Sequence, residues 1–577
     1  MNAGTEAASA EIYAMLSDFG ALLNTPGEQL VQVQVRSDDR LRELTERLSR
    51  ESYYLVTVVA NDERELEDRR YKIYYVFSHL SADLFVIIEY LLDHGSVHYC
   101  SISDLVPAAE PFEREIRDLV GLCPATNQQV AAAGKVTRGS WLHDAYPPDL
   151  FPLRRTDTAA ELRARVVADA KARRLDDLSA YRPAGPPDGI FAGTSFPVGP
   201  IHAGIIESGQ FWITATGETI EDLQIRLGYN HRGIERMFQS YLNLIDGWRL
   251  AEQVSGDTSF AHSLAYCRAA EVLTDTEVPA AARFLRPVFL ELERIHNHVA
   301  ALGGLAEDVG MEQFAAEFAV LREGVLRLNK RLAGHRYLRS VNRVGGIGVA
   351  EPIEAACVTG ELGRWIGSFE GLARALIVRS GFRDRTIRVG VLTRREGLKL
   401  GVTGLVARAS GIPRDSRLGH PVGAYRDAEE ILLAPGVVIG DDREAGAGDV
   451  FARTLVRVRE VFVSHRLIGW LIGQWSELAP ADRLKLATEP RILPKNNYTS
   501  AIGHAEGCRG DVVYWLMQDK MNGIYRCKVR DPSMLNWPAL RVCASPRTRD
   551  GNRLETLVAD FPLLNKSFSL SYAGNDL

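Results

Sequence analysis

The side chains best suited to chemistry in this 577-residue chain are histidines and carboxylates rather than thiols. His202 follows Gly199-Pro200-Ile201, His231 lies in Gly228-Tyr229-Asn230-His231-Arg232-Gly233-Ile234-Glu235, and His262 ends Ser259-Phe260-Ala261-His262. Imidazole titrates near neutral pH, so each could pass a proton, although a lone histidine is more often a hydrogen-bonded core or surface group. Glu235, set beside His231-Arg232-Gly233, is well placed for proton transfer, and Asp308, Asp257 and Asp576 add further carboxylates. Two carboxylates buried close together push one pKa upward and can form a proton relay. The competing expectation is that each is solvated or paired with an arginine such as Arg232.

The seven cysteines (Cys100, Cys123, Cys267, Cys357, Cys508, Cys527 and Cys543) are scattered and never spaced Cys-x-x-Cys. That pattern argues against a disulfide framework, a zinc ribbon or a self-contained iron–sulfur site, and fits reduced, buried thiols. His504-Ala505-Glu506-Gly507-Cys508 resembles the His-x-Glu of zinc deaminases, but the required Pro-Cys-x-x-Cys is missing. Gly345-Gly346-Ile347-Gly348 and Gly446-Ala447-Gly448 lack the strand–loop–helix setting of a dinucleotide loop, so no NAD site is expected.

The elements that must position these groups fall into two blocks. From about residue 28 to 110 the pattern is α+β: Val31 to Val35 alternates like a strand and Leu41 to Leu48 is helical. Tyr53 to Ala60, Ile73 to Phe77 and Leu84 to Ile88 are β-rich. Residues 156–194 form a charged helical stretch (Ala159 to Leu175) that runs into a Pro/Gly-rich linker around Arg182-Pro183-Ala184-Gly185-Pro186-Pro187. From 195 onward the chain becomes strongly helical. Val288, Phe289, Leu292, Ile295, Val299 and Leu302 share one helical face, with Pro287 predicted near the helix start and Gly303-Gly304 beyond its end. Ala315 to Leu332 and Asp449 to Ile472 are further long amphipathic helices. The expected fold is thus an α+β N-terminal domain (28–155) after an extension (1–27), then a large, mainly α-helical domain (195–577) with small β additions.

Composition sets limits on function. Hydrophobic content of 46% and charged content of 25% are those of a globular protein, and a net charge of -6 gives no basic stripe for nucleic acid. No apolar run approaches eighteen residues, and Leu84 to Ile88 is broken by Glu89, so no transmembrane helix is expected; Glu6 and Glu11 argue against a secretory leader. Any membrane contact is expected to go through partners, with the chain cytoplasmic and peripheral on the inner face of the cell membrane.

Two sets of motifs carry a family resemblance. Pro111-Phe112-Glu113-Arg114-Glu115-Ile116-Arg117-Asp118-Leu119-Val120-Gly121, followed by Phe151-Pro152-Leu153-Arg154, resembles the signature of the C-type subunit of respiratory complex I. The Gly-Pro-x-His entry at His202 and the Gly-Tyr-x-His-Arg-Gly-x-Glu motif at His231 to Glu235 resemble two related proteins. These are the D-type subunit of complex I and the large subunit of group 4, energy-converting [NiFe] hydrogenases. Glu293-Arg294-Ile295-His296-Asn297-His298, Gly401 to Arg417, Gly448 to Arg453 and Tyr525 to Pro532 extend the match in order. The fused arrangement is similar to the hydrogenase subunit of formate hydrogenlyase-type complexes.

The resemblance implies a peripheral subunit of a membrane-bound oxidoreductase complex related to NADH-quinone oxidoreductase. Its partners would be a small iron–sulfur subunit carrying a [4Fe-4S] cluster, a ferredoxin-like subunit, and antiporter-like and channel-like membrane subunits. In the hydrogenases two Cys-x-x-Cys pairs hold nickel; here the matching positions are Ser255 and Thr258, then Ser571 and Gly574. Serine, threonine and glycine cannot replace soft thiolates at neutral pH, so no metal and no bound cofactor is expected on this chain. The hydrogenases are also matured by removal of a tail after the second pair, and a metal-free chain ending near that point would need none. In the complex I branch a second histidine and a tyrosine bind quinone; the matching positions are Ile206 and Gly256, while Asp308 matches an acidic residue of that pocket. If the two ligand segments meet, Asp257 and Asp576 would line the cavity. The implied role is electron transfer from the partner cluster to a quinone-like or unknown acceptor, proton coupling through Asp257, Glu235, Asp308, His202, His231 and Asp576, or both. The alternatives are a catalytically silent scaffold and, less expected, a nickel enzyme with unusual ligands.

Overall fold

The computed structural model describes residues 12–23, 30–79, 83–125, 141, 146–147, 149–172, 193–202, 206–349, 353–434, 441–491, 498–549 and 552–577. Most of the linker, including its proline-rich part, lies outside these residues.

The N-terminal block builds a five-stranded mixed sheet from β1 (Ala21–Leu23), β2 (Leu30–Val35), β3 (Tyr53–Glu63), β4 (Arg70–His79) and β5 (Phe85–Leu91), in the order β1-β2-β5-β4-β3. β2 runs parallel to β5 and the other pairs are antiparallel. Helix α1 (Asp38–Arg50) and helix α2 (Glu110–Val120) cover one face, where Leu41, Leu44, Leu48, Phe112 and Ile116 meet Val33, Val58, Tyr75 and Ile88 in one core. Gly121 ends α2 in the left-handed conformation at φ 75°, a geometry that suits glycine at that point.

The second block is mainly helical. A three-stranded sheet, β6 (Thr194–Val198), β7 (Gln210–Thr216) and β8 (Thr219–Arg226), precedes helix α3 (Ile234–Tyr241). Then come α4 (Ser259–Thr274), α5 (Ala280–Asp308), α6 (Glu312–Ala333), α7 (Ala355–Ile377) and α8 (Val450–Glu477). The sheet β9 (Thr499–Gly507), β10 (Gly510–Gln518) and β11 (Ile524–Arg530) follows, then α9 (Pro532–Ala544), α10 (Phe561–Phe568) and the short terminal helix Tyr572–Asp576. The expected apolar face of α5 is buried from Val288 to Leu302.

The boundaries predicted for α5 need correction. Pro287 lies inside the helix, and the helix passes through Gly303-Gly304 to Asp308. Ala280-Ala281-Ala282 starts the helix two turns earlier than Pro287 suggests. Gly303 serves close packing: a Cβ there would stand 3.3 Å from the Cβ of Phe318 on α6.

The two blocks share an interface that the linker composition left open. The second face of the N-terminal sheet, with Val56, Val59, Tyr74, Val76 and Ile87, packs on Val513, Trp515, Met517 and Tyr525 of β10 and β11. Arginines of β11 lock the seam: Arg526 Nε donates to the Ala60 carbonyl at 3.2 Å and Arg530 Nε to the Val56 carbonyl at 3.0 Å.

Candidate functional site

The segment Ser255-Gly256-Asp257-Thr258 leads into α4, and Ser571 caps the terminal helix by accepting from the Gly574 amide at 2.9 Å. The fold brings them together: Ser255 Oγ and Ser571 Oγ are 3.1 Å apart. Ser255 also donates to Asp257 Oδ1 at 3.2 Å. Because Ser255 spends its proton on Asp257, the Ser571 hydroxyl is the donor between the two serines. A directed chain results, from the Gly574 amide through both hydroxyls to Asp257.

Asp257 forms a two-pronged ion pair with Arg509, at 3.0 and 2.6 Å. Burial alone would raise the Asp257 pKa, but the guanidinium overrides it and holds the carboxyl at about 2. Arg509 comes from the two-residue hairpin turn Cys508-Arg509 between β9 and β10, flanked by the paired Gly507 and Gly510. Burial pushes the neighbouring Cys508 thiol up to about 12, so it is no thiolate.

The other surroundings of Asp257 are also defined. Thr258 makes no side-chain cap for α4, and its Oγ1 is buried without a hydrogen-bond partner among the described residues. Glu293 of α5 caps α4 instead, accepting from the Phe260 amide at 2.7 Å and the Ala261 amide at 3.0 Å. Burial raises Glu293 to about 8 despite those amides. One turn further along α5, His296 is fully buried with both ring nitrogens unpartnered among the described residues, and burial pushes it down to about 3. Glu207 accepts from the Ala573 amide at 2.8 Å, and burial raises its pKa, reinforced by the charge of Asp257. At Gly574 there is no room for a side chain: a Cβ would come within 2.5 Å of Asp531 Oδ2. Asp531 is pinned by His262 Nε2 at 3.1 Å and the Ser533 amide at 2.7 Å, and Tyr514 OH lies 3.1 Å from His262 Nδ1.

The other predicted residues are distributed around this centre. Asp576 does not join Asp257. Its carboxylate accepts from the Gly228 amide at 2.7 Å, the Asn230 amide at 2.9 Å and the Asn230 side chain at 3.1 Å, and so holds the loop before His231. His231 is fixed between Tyr146 OH at 2.6 Å and the Asp576 carbonyl at 2.7 Å, and burial lowers its pKa. His202 makes a long 3.5 Å contact with Tyr572 OH, and its Nδ1 is buried without a partner among the described residues. Asp308 pairs with Lys566 at 2.7 Å. It stands fifteen residues beyond Glu293 on α5, about 22 Å along the axis, and belongs to a different part of the molecule from Asp257.

Glu235 lies at the seam between the two blocks. It accepts from Arg526 at 2.7 Å, Lys528 at 3.1 Å and the Val529 amide at 3.0 Å. Lys528 also donates to both oxygens of Glu115 at 2.6 Å. Burial raises Glu115, with Lys528 opposing; Arg526 and Lys528 outweigh burial at Glu235 and hold it below the ordinary value. The close carboxylate pair expected at Asp257 and Asp576 is therefore found at Glu115 and Glu235, bridged by Lys528. Arg509, Glu207 and Glu293 are the neighbours of Asp257 that sequence reasoning missed. The Gly507-x-x-Gly510 turn was the available signal for the first of them.

Comparison with known proteins places this geometry in context. Residues 33–156 match the model of the respiratory-chain NADH dehydrogenase 30 Kd subunit, and residues 308–549 that of the 49 Kd subunit. The chain is 28% identical to hydrogenase-4 component G of Escherichia coli over 525 residues, covering 91% of this chain and 84% of that protein. Formate hydrogenlyase subunit 5 of the same organism is also 28% identical, with the same shares covered. The membrane-bound hydrogenase subunit alpha of Pyrococcus furiosus is 30% identical, covering 63% of this chain and 83% of that protein. A chain in the structure of a membrane-bound sulfane sulfur reductase, an archaeal respiratory membrane complex, shares the fold with a TM-score of 0.58 at 22% identity. That match covers 67% of this chain and 98% of the other.

Proposed function

This chain belongs to the family of fused 30 Kd- and 49 Kd-type subunits found in complex I-like and hydrogenase-type membrane complexes, and we propose that it works there without a nickel–iron centre, handling protons in the former metal cavity. The observation that carries this reading is the Ser571–Ser255–Asp257–Arg509 chain at the degenerate ligand positions. Nickel–iron chemistry calls for four soft thiolates. The four positions here carry three hydroxyls (Ser255, Thr258 and Ser571) and a glycine, the carboxylate is already neutralised by a guanidinium, and Cys508 is a neutral thiol. The residues do not fit that group.

At neutral pH Asp257 stays ionised and orients both serine hydroxyls, while Arg509 balances its charge. It is a poor proton carrier at a pKa of about 2. Glu207 and Glu293, both raised by burial, are better placed to take up and release protons beside it. Electrons would pass through a partner iron–sulfur subunit to a quinone-like acceptor, and the complex would couple that transfer to proton movement. Among the described residues no helix is long and apolar enough to cross a membrane. In this reading the chain attaches peripherally, through membrane subunits on the inner face.

The Asp257–Arg509 lock also favours a second reading, a silent scaffold. Glu207→Gln and Asp257→Asn in the purified complex separate the two. Turnover or proton coupling falling at least about tenfold, as removal of a proton-transfer group does, supports the first. Unchanged turnover with intact assembly sinks it in favour of the scaffold.

A further inference from the structure

A cavity of about 290 Å³ opens between the C-terminal half of α4, the start of α5, and the loop that carries Arg417 and Arg426. Arg268 on its wall is nine residues along α4 from Ser259, about 14 Å along the axis, so this cavity is separate from the Asp257 centre. Its lining holds five arginines (268, 283, 286, 417 and 426) against two glutamates, Glu271 and Glu506.

The glutamates are fully engaged. Glu271 takes Arg286 through two contacts of 3.0 and 2.6 Å and the Gly345 amide at 2.8 Å. Glu506 takes Arg408 at 2.9 Å and Ser416 through its amide at 3.1 Å and its hydroxyl at 2.8 Å. Arg417 is committed to Asp415 and Glu291, and Arg426 to Asp83. Two guanidiniums are left over. Among the described residues Arg268 has no carboxylate partner and donates to the His504 carbonyl, at 2.7 Å. Arg283, exposed at the rim, likewise has no ion-pair partner among the described residues. Burial pulls Arg268 down to about 10; Glu271 and Asp83 oppose that shift from a distance, while Arg286 and Arg426 add to it.

We propose that this cavity binds a small free oxyanion, phosphate or a short dicarboxylate, held between the forks of Arg268 and Arg283. Two guanidinium forks lining one cavity suit planar or tetrahedral oxyanions through paired charge-assisted hydrogen bonds. The volume is that of a small-molecule site rather than of a macromolecular groove. The same chemistry could also be supplied by an acidic side chain of a neighbouring subunit.

The test is isothermal titration of inorganic phosphate, and separately of succinate, into the purified full chain and into the assembled complex. The expected result is saturable binding of one anion per chain in both preparations. Arg268→Gln and Arg283→Gln should each weaken it at least about tenfold, the loss of one charge-assisted contact. Neither substitution breaks an ion pair among the described residues, and Arg283 is exposed, so unchanged thermal unfolding of Arg283→Gln guards against a folding artefact. The inference is overturned if neither anion binds the full chain, or if both variants bind as the parent does. Binding to the chain that disappears in the complex also overturns it, and would show that a neighbouring subunit's acidic group fills the cavity.

Discussion

Lys528→Met is expected to damage the seam between the two blocks more than any surface change. Its ammonium sits 2.6 Å from both oxygens of Glu115 and 3.1 Å from Glu235, and all three side chains are buried. Methionine keeps the volume but leaves Glu115 with no cation bonded to it, and Glu235 with Arg526 and the Val529 amide. Removing one member of a buried ion pair costs about 3–5 kcal/mol, because the remaining charge stays desolvated. Glu115, already raised by burial, would take up a proton to escape that cost, so the loss should be greatest at high pH. The double variant Glu115→Gln/Lys528→Met removes the stranded charge and should recover part of the stability, a coupling on the order of 1–3 kcal/mol. Denaturant unfolding, with hydrogen exchange followed across β3 and β11, measures both quantities and shows whether the seam opens first. A Lys528→Met variant within about 1 kcal/mol of the parent, below the range for a broken buried pair, would refute the reasoning. So would strict additivity with Glu115→Gln.

Three further outcomes follow from the geometry around Asp257. Asp257 has its pKa depressed from 3.8 to about 2, so its pairing contributes stability that is complete above about pH 4 and is lost as pH falls through 2. Asp257→Asn should remove that acid limb from a stability–pH profile. Glu293 is raised from 4.5 to about 8, so the folded chain keeps a proton the unfolded chain has released, and stability declines as pH climbs through that window. Glu293→Gln, which mimics the protonated form, should flatten that decline in the same series. Gly574→Ala should cost about 1–3 kcal/mol in thermal unfolding, the usual penalty of overpacking, because the new Cβ meets a carboxylate pinned by His262 and Ser533; an unaffected variant would show that Asp531 can move aside.

Periodicity in the sequence located most of the elements, because a 3.6-residue apolar stripe or a period-2 alternation reports which face is buried. It misread the ends of α5, where Pro287 and Gly303-Gly304 are ordinary boundary signals that tertiary packing overrides. The contact of Gly303 with Phe318 depends on a helix met only after the chain turns back. For the site, motif matching found the two segments that meet at Ser255 and Ser571, but not what fills the space between them. Arg509 reaches Asp257 from a hairpin 252 residues away, and no local pattern announces such a contact. Sequence alone groups Glu235 and Asp308 with Asp257 as candidate proton carriers, whereas the fold sends one to the interdomain seam and the other to the far end of α5.

In the proposed function the Ser571–Ser255–Asp257–Arg509 chain stands where a nickel–iron centre would need thiolates. Elemental mass spectrometry of the purified intact complex tests it directly by counting nickel and iron per copy of this chain. Iron from a partner's cluster and no stoichiometric nickel is the expected result. One nickel per chain would contradict it, because the hydroxyls and the neutralised carboxylate would then be ligands after all.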